Sequence, residues 1–378
     1  MTVEPRTKLL FFVAEDWYFL SHRLGIARAA RDQGYGVCVV TRVGRHRKAI
    51  EEEGFKLYDL RLKRSSRNLL SEMATILQLV RIYRREKPHL VHHVAVKPVL
   101  YGSYAARLSG VPVVINALAG MGYLYASTCL DAKLLRFLLE PAFRTALKRP
   151  ENRVILQNPD DVRLLVERGL VRQAQVALIR GSGVDTNLFS PRPETDGPPI
   201  VILAARMLSD KGVTEFVEAA RALRKQGVSA RFALVGDADP DNPASIPAAT
   251  LRGWEKNGDV EWWGFRSAMP KVFHEVHIAT LPSYREGLPK VLLEAASCGR
   301  PIVATDTPGC REIVRHGVNG FLVPVRDPLA IAGALRQLIN DKDLRQKMGK
   351  EGRKLVLNEF TEERIVGQTI GLYKAALR

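Results

Sequence analysis

No apolar run in the chain approaches the ~18 residues that a membrane-spanning helix needs. The early stretch Leu9–Ala14 is followed at once by Glu15 and Asp16. It is too short for the hydrophobic part of a secretion signal and reads as a first buried strand. Cysteine is scarce: Cys38, Cys129, Cys298 and Cys310 form no C-x-x-C pair and show no metal-ligand spacing. A disulfide scaffold and a zinc site are therefore not expected, and reduced cytosolic thiols are. No G-x-G-x-x-G follows the first strand, which excludes the nicotinamide-binding fingerprint. A P-loop and a G-x-S-x-G elbow are missing too. Zinc-finger and RNP-type aromatic patterns are also lacking, so no nucleic-acid partner is expected. Repeats of 20–50 residues and low-complexity tracts are absent.

What is present is a chain of 378 residues, 46% of them hydrophobic, enough for two domains with full cores. The net charge is +17 and unevenly spread. Residues 1–180 hold 30 Lys/Arg against 16 Asp/Glu, which is +14; residues 181–378 hold 27 against 24, which is +3. The basic first half suggests an anionic surface or substrate, although an arginine-rich solvated face would look the same.

Short apolar strands alternate with amphipathic helices along the chain. Expected strands are Lys8–Ala14, Val37–Thr41, Phe55–Leu60, Leu90–Val94, Val111–Asn116, Val154–Gln157 and Val176–Arg180. Between them come helices capped by Ser21 and running to Gln33, then Asn68–Glu86 and Pro98–Ser109, and one from near Pro159. This is the βαβ pattern of a parallel sheet covered on both faces. The segment Pro191–Pro199 holds four prolines and a glycine and cannot continue a helix or a central strand. It is read as the linker. The pattern restarts at Ile200–Ala205 and continues through His277–Leu281, Ile302–Thr305 and Gly320–Val323, to helices Leu329–Asn340, Asp343–Asn358 and Glu362–Ala376. The expected domains are 1–190, 191–360 and a C-terminal helix, 361–378, that returns to the first. Two doubly wound α/β domains facing a cleft are the expected fold, with ligands at the carboxyl ends of the strands.

The most informative stretch is Ser283–Glu294. It follows a strand and opens a helix expected over Leu288–Cys298, with Pro289 in the first turn, where a missing N–H costs nothing. Amides near Gly287, Leu288 and Lys290 would form a phosphate-binding helix start carrying about half a positive charge. Glu286 and Glu294 frame it. Carboxylates beside a phosphate site make sense if they face hydroxyls, as on a sugar and a ribose. An acidic pair that merely favours the helix dipole is the plain alternative. Arg206, at the end of Ile200–Ala205, and Lys211 could add cations for phosphate. Gly236 permits close backbone approach, and Phe265 with Arg266 could face a base. Ser182 and Gly183 lie in a small-residue loop.

In the first half, Asp16 and His22 flank the first strand–helix turn. His92 and His93 are adjacent on a strand, face opposite sides and make a poor metal pair. Lys97 follows that strand and could meet an acceptor phosphate. The loop Asn116–Tyr123 includes Gly120 and Tyr123. Asn68–Lys87 and Leu130–Arg149 are basic and amphipathic. Most such stripes face a core; the second is the better candidate for a membrane interface.

Taken together these residues resemble a family. Glu286-Gly-Leu-Pro-Lys-Val-Leu-Leu-Glu294 is similar to the E-x7-E signature of retaining glycosyltransferases of family 4. The Arg206…Lys211-Gly212 pair, Gly181–Asp185 and Pro308-Gly309…Glu312 match in order. Pro88–Val111 and Asn116–Tyr123 resemble a subset that builds bacterial surface polysaccharides and glycans on a polyprenyl-diphosphate carrier. The resemblance implies a GT-B fold, a nucleotide-sugar donor (usually UDP-linked) on the second domain, no metal or other cofactor, and a place on the inner face of the cytoplasmic membrane, whose anionic surface is an expected partner. It further implies that Arg206 and Lys211 neutralise the diphosphate, that Gly287–Lys290 contact donor, that Glu286 holds the transferred sugar and that Glu294 holds the ribose. Asp16, His22, His93, Lys97, Asn116, Gly120 and Tyr123 are the candidate acceptor contacts. Many relatives carry a histidine in the loop after the fifth strand; this chain does not. Two other functions stay open: a nucleotide-sugar epimerase or hydrolase of the same fold, and a basic membrane- or nucleic-acid-binding module.

Overall fold

The computed structural model describes residues 7–60, 62, 69–118 and 130–378. The chain divides into two compact units, Met1–Ser182 with Ile365–Arg378, and Gly183–Arg364.

The first unit runs β1 (Thr7–Glu15), α1 (Asp16–His22), α2 (Leu24–Asp32), β2 (Tyr35–Arg42), α3 (Arg47–Glu51), β3 (Lys56–Asp59), α4 (Leu69–Glu86), β4 (Leu90–Val94) and α5 (Val96–Ser109). It continues with β5 (Val113–Ala117), α6 (Leu130–Leu147), β6 (Asn152–Leu156), α7 (Pro159–Glu167) and β7 (Val176–Leu178). Its seven-stranded parallel sheet has the order β3-β2-β1-β4-β5-β6-β7. Strand β1 shows why the sheet is covered twice. Leu10 and Phe12 enter one core, beneath α4 to α7, while Leu9, Phe11 and Val13 enter the other. Period-two alternation with apolar residues on both sides is what a buried parallel strand requires.

The second unit runs β8 (Ile200–Ala204), α8 (Val213–Lys225), β9 (Arg231–Val235), α9 (Ala248–Lys256), β10 (Glu261–Gly264), α10 (Met269–Glu275), β11 (Ile278–Leu281) and α11 (Lys290–Ser297). Then come β12 (Ile302–Thr305), α12 (Pro308–Arg311), β13 (Gly320–Val323), α13 (Pro328–Asn340) and α14 (Lys342–Glu359); the last helix, α15 (Glu362–Ala376), belongs mostly to the first unit. Its six-stranded sheet, β10-β9-β8-β11-β12-β13, repeats the same winding. Helix α15 completes the first unit: Ile365, Ile370 and Tyr373 fill the core that holds Phe11 and Phe19, and the Tyr373 hydroxyl pairs with His92 Nδ1.

Three local expectations need correction. The division falls at Ser182/Gly183, not at 191–199. The proline segment is instead a strap on the second unit. Glu194 accepts two hydrogen bonds from buried Arg345, at 3.1 and 2.9 Å, and Thr195 O lies 3.0 Å from His277 Nε2. An extended proline-rich segment that cannot join a sheet can still be held by side chains. Ser21 is no N-cap: it sits inside α1 and donates to Trp17 O at 2.8 Å. The helix begins earlier because Glu15 is extended (φ −136°, ψ 140°) and the chain turns at Asp16. Pro289 is the N-cap of α11 (φ −75°, ψ 109°), so that helix starts at Lys290 rather than Leu288.

Candidate active site

In the second unit, the loops after β8 and β11 meet at the carboxyl edge of the sheet. Two glycines make this possible. Gly212 has φ +71°, and a Cβ there would fall 2.2 Å from Pro282 O. Gly309, in α12, would place a Cβ 2.4 Å from Gly287 O. Only hydrogen fits at either place. The close approach brings Lys211 Nζ to 2.6 Å from Glu286 Oε1 across 75 residues of sequence. The Glu286 loop is pinned further by Tyr284. Its amide donates to Asp210 O at 2.9 Å, its hydroxyl to Glu215 Oε1 at 2.5 Å, and the Arg326 guanidinium lies 4.5 Å over its ring. Thr305 Oγ1 donates to Ser283 O beneath it.

Arg206 pairs with Asp239 Oδ2 at 2.7 Å and keeps 40% of its side chain exposed. The Asp239 amide is in turn fixed by Ser245 Oγ at 2.9 Å. Leu288 is buried in the core, so only its backbone can face a ligand, and Gly287 and Pro289 are buried beside it. Lys290 Nζ stands 4.0 Å from Glu294 Oε1. Phe265 is 71% exposed, its amide donating to Asp237 Oδ1 at 3.1 Å, and Arg266 is exposed beside it. Both are open to a planar ligand.

The glycines of two other candidates serve packing. Gly236 has φ +136°, and a Cβ would fall 1.9 Å from Ala205 O; its own carbonyl accepts from Trp262 Nε1 at 2.8 Å. Gly183 has φ +72°, with the backbone of Glu362 only 2.6 Å from the Cβ position. A side chain at Gly183 would collide with the Thr361–Glu362 backbone that crosses it. Ser182 is buried at the end of the first unit, with its hydroxyl unpartnered.

The first-unit candidates fare differently. Asp16 is buried, and its carboxylate accepts from the Gly44 and His46 amides at 2.7 and 3.0 Å. It builds the turn after β2 instead of reaching outward. His93 and Asn116 are fully buried. His93 is held between Tyr83 OH (3.0 Å) and Asn116 Oδ1 (2.8 Å), and burial lowers its imidazole pKa to about 4. Both are core groups and leave the set of acceptor contacts, because their polar atoms point into the layer between sheet and α5. His92 faces the opposite layer, as adjacent strand residues must. Lys97 is tied to Glu72 Oε1 at 3.0 Å and sits 5.9 Å from the Tyr101 ring centre. His22 stacks on Tyr18 at 4.1 Å. Gly120 and Tyr123 lie outside the described residues.

Two family models match the chain. "Glycosyl transferase 4-like" covers residues 8–158 and "Glycosyl transferases group 1" covers 198–341. The chain belongs to the family 4 glycosyltransferases. It is 26% identical to the N,N'-diacetylbacillosaminyl-diphospho-undecaprenol alpha-1,3-N-acetylgalactosaminyltransferase of Campylobacter jejuni, over 95% of this chain and 98% of that one. It is 25% identical to the UDP-Gal:alpha-D-GlcNAc-diphosphoundecaprenol alpha-1,3-galactosyltransferase of Escherichia coli, over 81% and 80%. Among solved structures, Anabaena Alr3699/HepE in complex with UDP superposes with a TM-score of 0.76 at 19% identity, covering 98% of this chain and all of that one. The fold is GT-B, as the sequence implies, and the protein is a glycosyltransferase.

Two residues of the glycosyltransferase's second unit are not singled out by sequence reasoning: Asp239, which pairs with Arg206, and Glu215, which holds Tyr284 and so anchors the Glu286 loop. Asp239 follows Gly236-Asp237 after a strand, a position that could draw notice. Glu215 carries no such signal. Among the described residues no group of three or more His, Cys, Asp and Glu could hold a metal ion, and no helix is long and apolar enough to cross a membrane.

Glu294 lies inside α11 with 14% of its side chain exposed, and burial raises its pKa from 4.5 to about 7 against the opposing pull of Lys290. The folded chain therefore keeps a proton on Glu294 between those values while the unfolded chain has lost it. Folding carries no penalty from this group below pH 4.5; the penalty grows as pH rises and is complete above about 7. Glu294→Gln removes it. The variant is expected to stabilise the second unit by about 1–3 kcal/mol near pH 8 and to change little near pH 5, at about 1.4 kcal/mol per pKa unit. Urea unfolding followed by Trp254, Trp262 and Trp263 would show this; equal shifts at both pH values would contradict it.

Proposed function

We propose that this enzyme moves a sugar, with retention and without a metal, from a UDP-sugar to a polyprenyl-diphosphate-linked saccharide in polysaccharide or glycan assembly. It works as a peripheral protein on the inner face of the cytoplasmic membrane, with the second unit holding the donor and the first the acceptor. The observation that carries the reading is the convergence of Lys211, Glu286 and the start of α11, with Arg206 on the neighbouring loop. The relatives' names, with diphospho-undecaprenol in both, support the acceptor.

Cleaving the anomeric C–O bond leaves a further negative charge on the departing diphosphate. Arg206 and Lys211 are the cations that take it up, since fixed positive groups beside a developing negative charge are where electrostatic catalysis gains most. Each unit charge at 4 Å is worth about 4 kcal/mol at an effective dielectric near 20. In the structure each cation already has a carboxylate partner. Donor diphosphate replaces Glu286 on Lys211, and the freed carboxylate accepts from hydroxyls of the transferred sugar. Glu294 takes the ribose hydroxyls. The acceptor hydroxyl forms its bond to C1 on the face the diphosphate leaves, and its proton passes to the leaving phosphate oxygen.

The test is a panel of UDP-sugars with a short-chain, water-soluble prenyl-diphosphate saccharide, read as released UDP. One donor is expected to give release that depends on acceptor. Equal release without acceptor would make the enzyme a hydrolase, and no release from any donor would remove the reading.

A further inference from the structure

Helix α4 carries an apolar stripe that its own core does not use. Leu70, Met73 and Leu77 are 81%, 55% and 49% exposed. Their spacing, i, i+3 and i+7, puts them on one face. Leu79, Val80, Ile82 and Tyr83 pack inward, so this stripe is additional to the core face. Farther along the same outer side stand Arg81, Arg84 and Arg85, all exposed.

The two acids of α4 are turned away from this side. Glu72 is held by Lys97, and Glu86 is buried against Lys56 and Tyr58. The outer face thus offers apolar groups and positive charge, and the helix's two carboxylates lie off it, each against a lysine. Helix α4 follows β3 and precedes β4 in a parallel sheet, so its first half lies at the carboxyl edge. The Glu72–Lys97 bond, to the first turn of α5, marks the same edge. The apolar half is therefore at the end of the sheet where ligands bind, and the arginines trail toward the other end, about 10–20 Å along the helix axis.

We infer that α4 is the element that docks this protein on an anionic bilayer, Leu70, Met73 and Leu77 entering the interface and Arg81, Arg84 and Arg85 meeting lipid phosphates. This rests on the membrane-side reading of the function above and names its surface. Apolar area plus attraction to anionic headgroups is what an interfacial helix needs. A nucleic acid would use the arginines and leave three large apolar side chains in water. Docking would bring the carboxyl edge of the first sheet to the surface in which a polyprenyl anchor lies. The sequence points instead to Leu130–Arg149. There Phe143, Ala146 and Leu147 are core, and exposed Phe137 is the one large apolar group among its described side chains left outside.

The experiment is flotation of the full chain with phosphatidylcholine vesicles containing about one-third phosphatidylglycerol, compared with pure phosphatidylcholine. Wild type is expected to float with the anionic vesicles only. The L70S/M73S/L77S variant should partition about tenfold less or worse. R81Q/R84Q/R85Q should lose about a hundredfold at ~0.1 M salt and far less at ~1 M, where charges are screened. UDP binding to both variants, measured by calorimetry, should equal wild type and shows that they are folded. The inference is overturned if wild type does not float, or if the serine variant floats as well as wild type. It is also overturned if wild type is a dimer that the serine variant converts to a monomer, since the face would then pair with a second copy. Transfer to the water-soluble acceptor separates the two readings. Transfer without flotation leaves the enzyme's function standing and removes the docking surface; flotation without transfer does the reverse.

Discussion

Lys211→Ala is expected to lower the turnover of UDP-sugar about 10²–10³-fold, the loss typical of one preorganised group removed from a developing oxyanion. The Lys211 side chain is 20% exposed and its ammonium is in hydrogen-bond contact with Glu286, so it is held in place before any donor arrives. Glu286→Ala should cost a similar factor by a different route, since in the proposed mechanism it removes the acceptor for the sugar's hydroxyls. The two side chains touch, so their losses should not add. The double variant is expected to lie near the worse single variant, instead of showing the product of the two. Released UDP under saturating donor gives the rates, and circular dichroism confirms that each variant is folded. Near-wild-type turnover in both single variants would sink the proposed roles. Full additivity would show that the ion pair has no part in the reaction.

The second large effect concerns stability. Glu194→Ala is expected to destabilise the second unit by about 3–5 kcal/mol, because removing one partner of a buried ion pair strands the other charge. Arg345 and Glu194 keep only 6% and 8% of their side chains exposed. Arg345 also donates to Leu338 O and Ile339 O at 2.8 and 2.9 Å, so its guanidinium has nowhere to retreat. The pair ties the strap 191–199 to the C-terminal end of α13 and the start of α14. Tryptophan fluorescence in urea, dominated by Trp254, Trp262 and Trp263, reads the second unit. A shift below about 1 kcal/mol would mean that the pair is no better than a surface bridge. The first unit should be unaffected, which Trp17 in a W254F/W262F/W263F background can report.

Two other pairs show where such arguments stop. Arg231–Glu261 and Arg28–Glu53 are close in distance but lie at the surface, and pairs of that kind contribute about 0–1 kcal/mol. What sets Arg345–Glu194 apart is burial, which makes an unpaired charge costly.

Much of the fold is legible in the residue pattern alone. Strands Leu90–Val94, Ile302–Thr305 and Gly320–Val323 have the bounds that composition suggests; the last two are short runs closed by Asp306 and by Pro324. The βαβ rhythm requires parallel sheets, and the E-x7-E stretch marks the start of α11. Helix starts are harder. Ser21 has the chemistry of a cap and Pro289 that of a first-turn residue, yet each start lies elsewhere, since a cap depends on where the preceding strand lets the chain turn. Helices Ala248–Lys256 and Met269–Glu275 are not evident in the pattern, because short amphipathic segments between strands resemble loops.

The site divides in the same way. By itself the sequence determined which residue types sit at strand ends: Arg206 after β8, Glu286 after β11, His93 and Lys97 around the end of β4. It could not determine which of them remain available. Lys211 and Glu286 become partners because Gly212 and Gly309 let backbones approach to distances no side chain would permit. His93 and Asn116, by the same logic of position, are consumed inside the core. Asp16 spends its carboxylate on two amides. In α4, apolar residues occur on more than one side, so periodicity marks a helix but does not say which residues the sheet covers. Leu79 is buried and Leu77 is not, two positions apart. Position along the chain follows from local chemistry. Availability follows from what packs against each atom, and that is decided only when residues distant in sequence are brought together.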